Sequence, residues 1–169
     1  MSRTPTRWAP LTSTVLCLVG LAVSVYLTFE HFSSSSSLVC PESATVNCVK
    51  VTTSSYSKLL GMPVAVLGLL FFIGLTPLCL PVAWRAASPW PNRLRLAGLT
   101  VGVVFVLYLV WAELFPIGAI CLWCTAVHAV TVLLFAVVVL DAALRPIEEP
   151  ELASKLPPRP TGRVANKGR

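Results

Sequence analysis

Four of the six cysteines in this 169-residue chain stand in two close pairs, too few and too uneven for a secreted disulfide scaffold and suited instead to redox or metal chemistry. In Cys121-Leu-Trp-Cys124 the thiols are at i and i+3. On a helix these positions share one face, which is the spacing a reversible disulfide within a single turn needs. Cys40 and Cys48 have seven residues between them and lie on a polar segment upstream. One pair on a loop and one fixed on a helix suggest a relay, because thiol–disulfide exchange carries two electrons from pair to pair without a metal. A four-cysteine zinc site is the chemical rival, and its usual short ligand spacing is not met by Cys40 and Cys48. A second alternative makes both pairs structural staples. Cys17 and Cys79 sit inside apolar runs with no visible partner and read as small packing residues.

The elements that must position these sulfurs follow from where charge is missing. Apolar residues make up 56% of the chain and charged ones 12%, and the mean hydropathy is +0.79. A soluble domain carries about 25% charged residues. Four uncharged stretches, Leu11–Phe29, Leu59–Trp84, Leu96–Ala112 and Leu114–Leu140, are each long enough to cross a hydrocarbon layer of about 30 Å as a helix. In lipid the backbone must satisfy its own hydrogen bonds, and the alternating polarity of barrel strands is absent. The expected fold is therefore an all-α integral membrane protein, a four-helix bundle over residues 11–143 with a long extracytoplasmic loop at about 31–61. The net charge of +6 is segregated by these runs and does not suggest nucleic acid. No internal repeat, Walker loop or dinucleotide fingerprint is present.

Of the 13 basic residues, Arg3, Arg7, Arg85, Arg93, Arg95, Arg145, Lys155, Arg159, Arg163, Lys167 and Arg169 fall on one side of the four spans, and only Lys50 and Lys58 on the other. The positive-inside rule then makes residues 1–10 and the tail from 144 to 169 cytoplasmic, and puts both cysteine pairs at the extracytoplasmic face of the cell membrane. The first run is too long for a signal-peptide core and no A-x-A site follows it, so it is read as a retained helix. The proline-rich, charged tail has nothing from which to build a core and is expected to be disordered.

Pro77 and Pro81 should interrupt the second helix near its cytoplasmic end, and Gly98 and Gly102 match the small-xxx-small pattern of close helix approach. If the fourth helix begins near Ile117, the unpaired N–H groups of its first turn favour a thiolate at Cys121. Cys124, one turn deeper, faces the bilayer interior. His128 lies about 6 Å beyond Cys124 on a similar face, and an ionisable group there is a functional candidate by default. Its alternative is a neutral histidine satisfied by a backbone carbonyl.

Taken together, Cys40, Cys48, Val51, Ser54, Tyr56, Gly61, Pro63 and the Cys121–Cys124 pair, in this order, resemble the vitamin K epoxide reductase family, particularly its short bacterial members. The resemblance covers roughly residues 11–140. It implies a quinone, menaquinone or ubiquinone, held in the bundle near the helix cysteines, and a separate thioredoxin-like partner outside the membrane. By position, Cys40 would meet the partner's thiol, Cys48 would pass electrons to Cys121, and Cys124 would reduce the quinone. Ser54 matches a family Ser or Thr near the quinone-reactive cysteine, and its hydroxyl is a hydrogen-bond donor for a thiolate or quinone oxygen. His128 matches a Tyr that touches the quinone ring in the animal enzymes. The Asn that contacts vitamin K there has no counterpart near Val64, so epoxide reduction is not implied, and no fused thioredoxin-like domain is expected after the fourth helix. The implied activity is oxidation of the partner for disulfide formation in exported proteins; a reductase running the other way is the alternative. Trp123 and Tyr56 are pocket-wall or membrane-anchor aromatics.

Overall fold

In the computed structural model, residues 8–33, 39–41 and 43–144 are described. Apart from Leu144, the expected cytoplasmic tail lies outside them, as do residues 1–7 of the N-terminal segment. Three helices are long and apolar enough to cross a membrane: α1 (Trp8–Phe32), the stretch Trp90–Ile117 containing α5 (Trp90–Ala112), and α6 (Leu122–Leu144). A shorter apolar helix, α3 (Val64–Cys79), completes a four-helix bundle. Between α1 and α3 come the short helix α2 (Cys48–Thr53) and a two-residue hairpin, β1 (Lys58–Leu59) with β2 (Met62–Pro63). Leu60 and Gly61 turn this hairpin with φ of 53° and 82°. A tight two-residue hairpin demands such left-handed values, which glycine adopts freely and leucine does not.

Helix α1 packs against α3 and α6, and α5 closes the bundle against α6 and α3. Their common core joins Cys17, Phe72, Leu75, Cys79, Leu99, Leu134 and Val138. The second span is not one helix over Leu59–Trp84: the hairpin delays its start to Val64, and it stops at Cys79 before the short α4 (Pro81–Trp84). The break lies at Leu80, whose ψ of 147° is the extended geometry imposed on a residue before proline. A helix end leaves carbonyls without intrahelical donors. Here the Cys79 carbonyl accepts from Thr14 Oγ1 at 2.9 Å, Ser13 Oγ at 3.3 Å and Trp84 Nε1 at 3.1 Å. The α1 hydroxyls thus make the break tolerable inside an apolar bundle.

Three further expectations are corrected. Helix α5 begins at Trp90, so Arg93 and Arg95 belong to its first turns rather than to a loop. Arg95 is buried with its guanidinium 3.6 Å from the centre of the Trp84 ring, an aromatic face that offsets part of its desolvation. Cys17 and Cys79 are each other's partners: α1–α3 packing brings the two thiols within hydrogen-bonding reach. The fourth helix does not start near Ile117 or run from Leu114. Glu113–Ile117 winds as a π-helical turn at the end of α5, Gly118 reverses the chain with φ 61°, and α6 starts only at Leu122. Uncharged composition continues across this reversal, so the run Leu114–Leu140 conceals it.

Of the two glycines in the small-xxx-small pattern, only Gly102 is closely approached, by Phe71, while a Cβ at Gly98 would meet nothing. The tightest approach is elsewhere, since a Cβ at Gly20 would overlap the buried Phe72 ring. Overpacking of this kind costs about 1–3 kcal/mol. Gly20→Ala should therefore lower the thermal unfolding midpoint in detergent micelles, whereas Gly98→Ala should hold or raise it through the better helix propensity of alanine.

Candidate functional site: two cysteine pairs over a bundle cavity

The loop pair is positioned by backbone pairing. Asn47 N–H donates to Ile120 O at 3.1 Å and Ile120 N–H to Thr45 O at 2.9 Å, a short parallel bridge between the loop and the turn preceding α6. Asn47 then caps α2, its Oδ1 accepting the Lys50 N–H at 2.8 Å. The first residue of that helix is Cys48. These steps seat Cys48 and Val51 in one buried cluster with Ala119 and Cys121, against which Cys40, Ile117, Trp123 and Cys124 pack. All four sulfurs of the two pairs are therefore at the same end of the bundle. Cys40 and Cys48 form a disulfide with Cα atoms 6.3 Å apart, and Cys121 and Cys124 are free thiols.

Trp123 does not wall a pocket. Its Nε1 donates to Val39 O at 3.0 Å, its ring lies 4.9 Å from that of Tyr26, and the Tyr26 hydroxyl accepts the Val39 N–H at 3.4 Å. The two aromatics clamp the segment that carries Cys40. Sequence reading gave no role to Tyr26.

The helix pair sits at a helix start, one turn later than its sequence suggests. The Cys121 carbonyl accepts the Thr125 N–H at 2.9 Å, which makes Cys121 the residue that caps α6. Its own Sγ accepts the Cys124 N–H at 3.3 Å. A sulfur thus occupies the place of a capping oxygen, facing the positive end of the helix dipole. Cys121 lies in the turn between spanning segments, and its thiol is held below the usual cysteine range, first by a hydrogen bond from the Cys124 thiol and then by backbone N–H groups, against an opposing push from burial. Cys124 turns into the bundle.

There it lines a cavity of about 630 Å³ that runs between the helices. This is within the size range of small-molecule sites, about 300–1,000 Å³. The wall is mostly apolar, with Phe71, Phe72, Val101 and Val127 among its members, and His128, Ser54 and Tyr56 also line it. Three buried polar atoms in that wall, Ser24 Oγ and Glu30 Oε2 on α1 and His128 Nδ1 on α6, have no hydrogen-bond partner among the described residues. Buried polar groups are nearly always satisfied, so such orphans are open to a partner that a water or a ligand brings. An aromatic ring carrying two carbonyl oxygens suits this chemistry: flat, apolar and able to accept from a hydroxyl or an imidazole N–H. His128 is thus not the carbonyl-satisfied histidine of the alternative reading. Ser54 reaches the cavity, but its hydroxyl donates to Val51 O at 2.8 Å, so the donor expected for a thiolate or quinone is engaged locally.

One residue was missed. Glu113 is buried at the π-helical turn, lines the cavity, and takes a hydrogen bond from the Cys121 backbone N–H. The signal was in plain view, because Glu113 is the charge that separates the third and fourth uncharged runs and was used only as their boundary. A carboxylate between apolar blocks is expensive in a membrane and asks for a function. Among the described residues no cluster of three or more His, Cys, Asp or Glu could hold a metal.

The class of protein defined here is a four-helix membrane protein with a loop disulfide packed against a helix dithiol and a ligand-sized, mostly apolar cavity beside the deeper thiol. The chain belongs to the vitamin K epoxide reductase family, whose sequence model matches residues 11–139 of 169. That family consists of quinone-linked oxidoreductases.

The coupling of the helix thiols is testable. In reduced protein, site-resolved alkylation by a small neutral maleimide, followed against pH, reports the midpoint at which Cys121 ionises. Cys124→Ala removes the donating thiol and should move that midpoint up; Cys124→Ser, which keeps a hydroxyl donor, should move it less.

Proposed function

We propose that this protein is a membrane thiol–disulfide oxidoreductase that oxidises a separate thioredoxin-like extracytoplasmic protein and passes the electrons to a membrane quinone, menaquinone or ubiquinone, in support of disulfide formation in exported proteins. The observation that carries the reading is the division of labour between the two helix thiols. Cys121 is packed with Cys48 of the loop pair, whereas Cys124, three residues on, borders the cavity.

In this reading the partner's thiolate attacks the Cys40–Cys48 disulfide at Cys40, the less buried of the two, and frees Cys48. Cys48 then exchanges with the Cys121–Cys124 disulfide at Cys121, and Cys124 is released as a thiol facing the cavity; the partner's second thiol closes the partner's own disulfide and frees Cys40, which attacks Cys48, restoring the loop disulfide and freeing Cys121. Attack needs a thiolate and departure favours a stabilised one, so the capping position of Cys121 serves both directions of exchange. A bound quinone would supply the oxidising power, taking up two electrons and two protons as the Cys121–Cys124 disulfide re-forms. His128 and Ser24 would hold the ring by its oxygens, and the apolar helix faces would exclude water from the thiol. The excess of Arg and Lys on the other side of the membrane orients the cysteine end outward, toward exported substrates.

Purified protein given a reduced thioredoxin-like partner should reduce added quinone, and Cys124→Ala should abolish this. Cys121→Ala should also block quinone reduction while leaving the Cys40–Cys48 disulfide able to exchange with the partner. Loss of that exchange as well would overturn the assigned order. His128→Phe should raise the KM for quinone about tenfold, the cost of one buried hydrogen bond of about 1.4 kcal/mol. Consumption of an epoxide with dithiol, and no partner oxidation, would instead favour a reductase. Partner oxidation untouched by Cys124→Ala would reduce the pairs to staples.

A further inference from the structure

Oxidising a dithiol with a quinone moves protons as well as electrons. The S–S bond between Cys121 and Cys124 forms, two S–H bonds break, and two protons must reach the two oxygens of the quinol. The helix pair is withdrawn from the loop surface: Cys121 is fully buried within a cluster of Cys48, Val51 and Ala119, and Cys124 is half-buried beside the cavity. A titratable group on the cavity wall beside the thiols is placed to carry those protons.

Resting on the quinone-linked reading above, we propose that Glu113 is this carrier, accepting each thiol proton as the disulfide forms and releasing it into the cavity to a quinone oxygen. Three placements support it. The Glu113 carboxyl is reached by the backbone N–H of Cys121, its charge acts on both the Cys121 and Cys124 sulfurs, and it borders the same cavity as Cys124. It is therefore a neighbour of donor and acceptor together. The other titratable groups around the cavity are Glu30 and His31 on α1, Tyr56 and Lys58 on the segment after α2, and His128 on α6. Of these carboxyl and imidazole groups, only Glu113 contributes to the electrostatics of both thiols. A carboxylate that gives up its proton after each transfer is regenerated, so one group serves both protons. The π-helical turn that begins at Glu113 is the kind of helix irregularity that recurs at functional sites, and here it ends a spanning helix beside the thiols.

The alternative is purely structural, with Glu113 as the acceptor that fixes the turn before α6. Glu113→Gln separates the two, because the amide oxygen still accepts the Cys121 N–H while charge and proton exchange are lost. In full-length reduced protein free of quinone, the ionised carboxylate opposes the Cys121 thiolate, so Glu113→Gln should lower the pH midpoint of Cys121 alkylation. In the presence of quinone and reduced partner the same variant should lose kcat by on the order of 10²-fold, within the span of general acid–base effects. The KM for quinone and the exchange at Cys40–Cys48 should stay unchanged. A more ionised thiol combined with slower turnover is a signature that disturbed packing does not give. Glu113→Asp, still ionisable, should retain more turnover than Glu113→Gln, and equal loss in both variants would overturn the proposal. So would unchanged kcat in Glu113→Gln, or a raised alkylation midpoint. Wild-type protein that reduces no quinone overturns the functional reading itself, whereas active wild type beside an equally active Glu113→Gln overturns this inference alone.

Discussion

Two backbone hydrogen bonds hold the whole arrangement in register: Asn47 N–H to Ile120 O and Ile120 N–H to Thr45 O. They fasten a polar loop to the turn that precedes the last helix. Everything chemical is downstream of that join, because Asn47 is also the cap of α2 and Cys48 its first residue. Shift the bridge by one residue and the extended segment presents the opposite side chains, moving Cys48 out of the cluster it shares with Cys121. The bridge is short, as a joint between exchanging sulfurs should be. On its far side the segment is clamped by Tyr26 and Trp123, which hold Val39 next to Cys40.

Below the join the physics changes from hydrogen bonding to its deliberate omission. The bundle satisfies awkward backbone groups elsewhere with care, spending Ser13, Thr14 and Trp84 on the Cys79 carbonyl at the break between α3 and α4. Against that background the orphaned Ser24 Oγ and His128 Nδ1 stand out, since both face one cavity from helices packed against each other. A buried polar atom left without a partner costs about 1–3 kcal/mol. With Glu30 Oε2 there are three around one cavity, compatible with a stable bundle when a bound molecule returns part of that energy; under the proposed function a ring with opposed carbonyl oxygens would do so for Ser24 and His128.

How much of this was legible follows from what kind of signal each residue carried. The membrane helices were readable because lipid imposes a composition, and the two cysteine pairs because thiol chemistry imposes a spacing. Helix ends were not, since apolar sequence runs unbroken through Pro116, Gly118 and Ile120 while the chain reverses. Left-handed φ at Gly118 and the restricted residue before Pro81 are local backbone facts that uncharged runs average away. Arg95 is illegible for the opposite reason: in sequence a charge marks water, whereas here the guanidinium lies in the core against the Trp84 ring. Glu113 was overlooked by the same logic. Its partners, the Cys121 backbone and the two thiols, arrive from the far side of a turn and are invisible in the linear order.

The third cysteine pair, Cys17 and Cys79, shows why proximity of sulfurs is not sufficient for a relay. These thiols are near each other as the helix thiols are, and both are fully buried. They differ in everything else. Cys17 sits in the middle of α1 and Cys79 at the last turn of α3, so neither sulfur caps the positive end of a helix. Neither lines the cavity, and their neighbours are the aliphatic and aromatic core of the bundle. Cys121 has a helix N-terminus, a donating thiol and a loop disulfide in the same cluster, and Cys124 has open volume beside it. What sets the Cys121–Cys124 pair apart is therefore its seat at a boundary, between the segment that carries the Cys40–Cys48 disulfide and the cavity between the helices. At the other end of the bundle the same two atoms, enclosed on all sides by packed side chains, are only small apolar groups that let α1 and α3 approach.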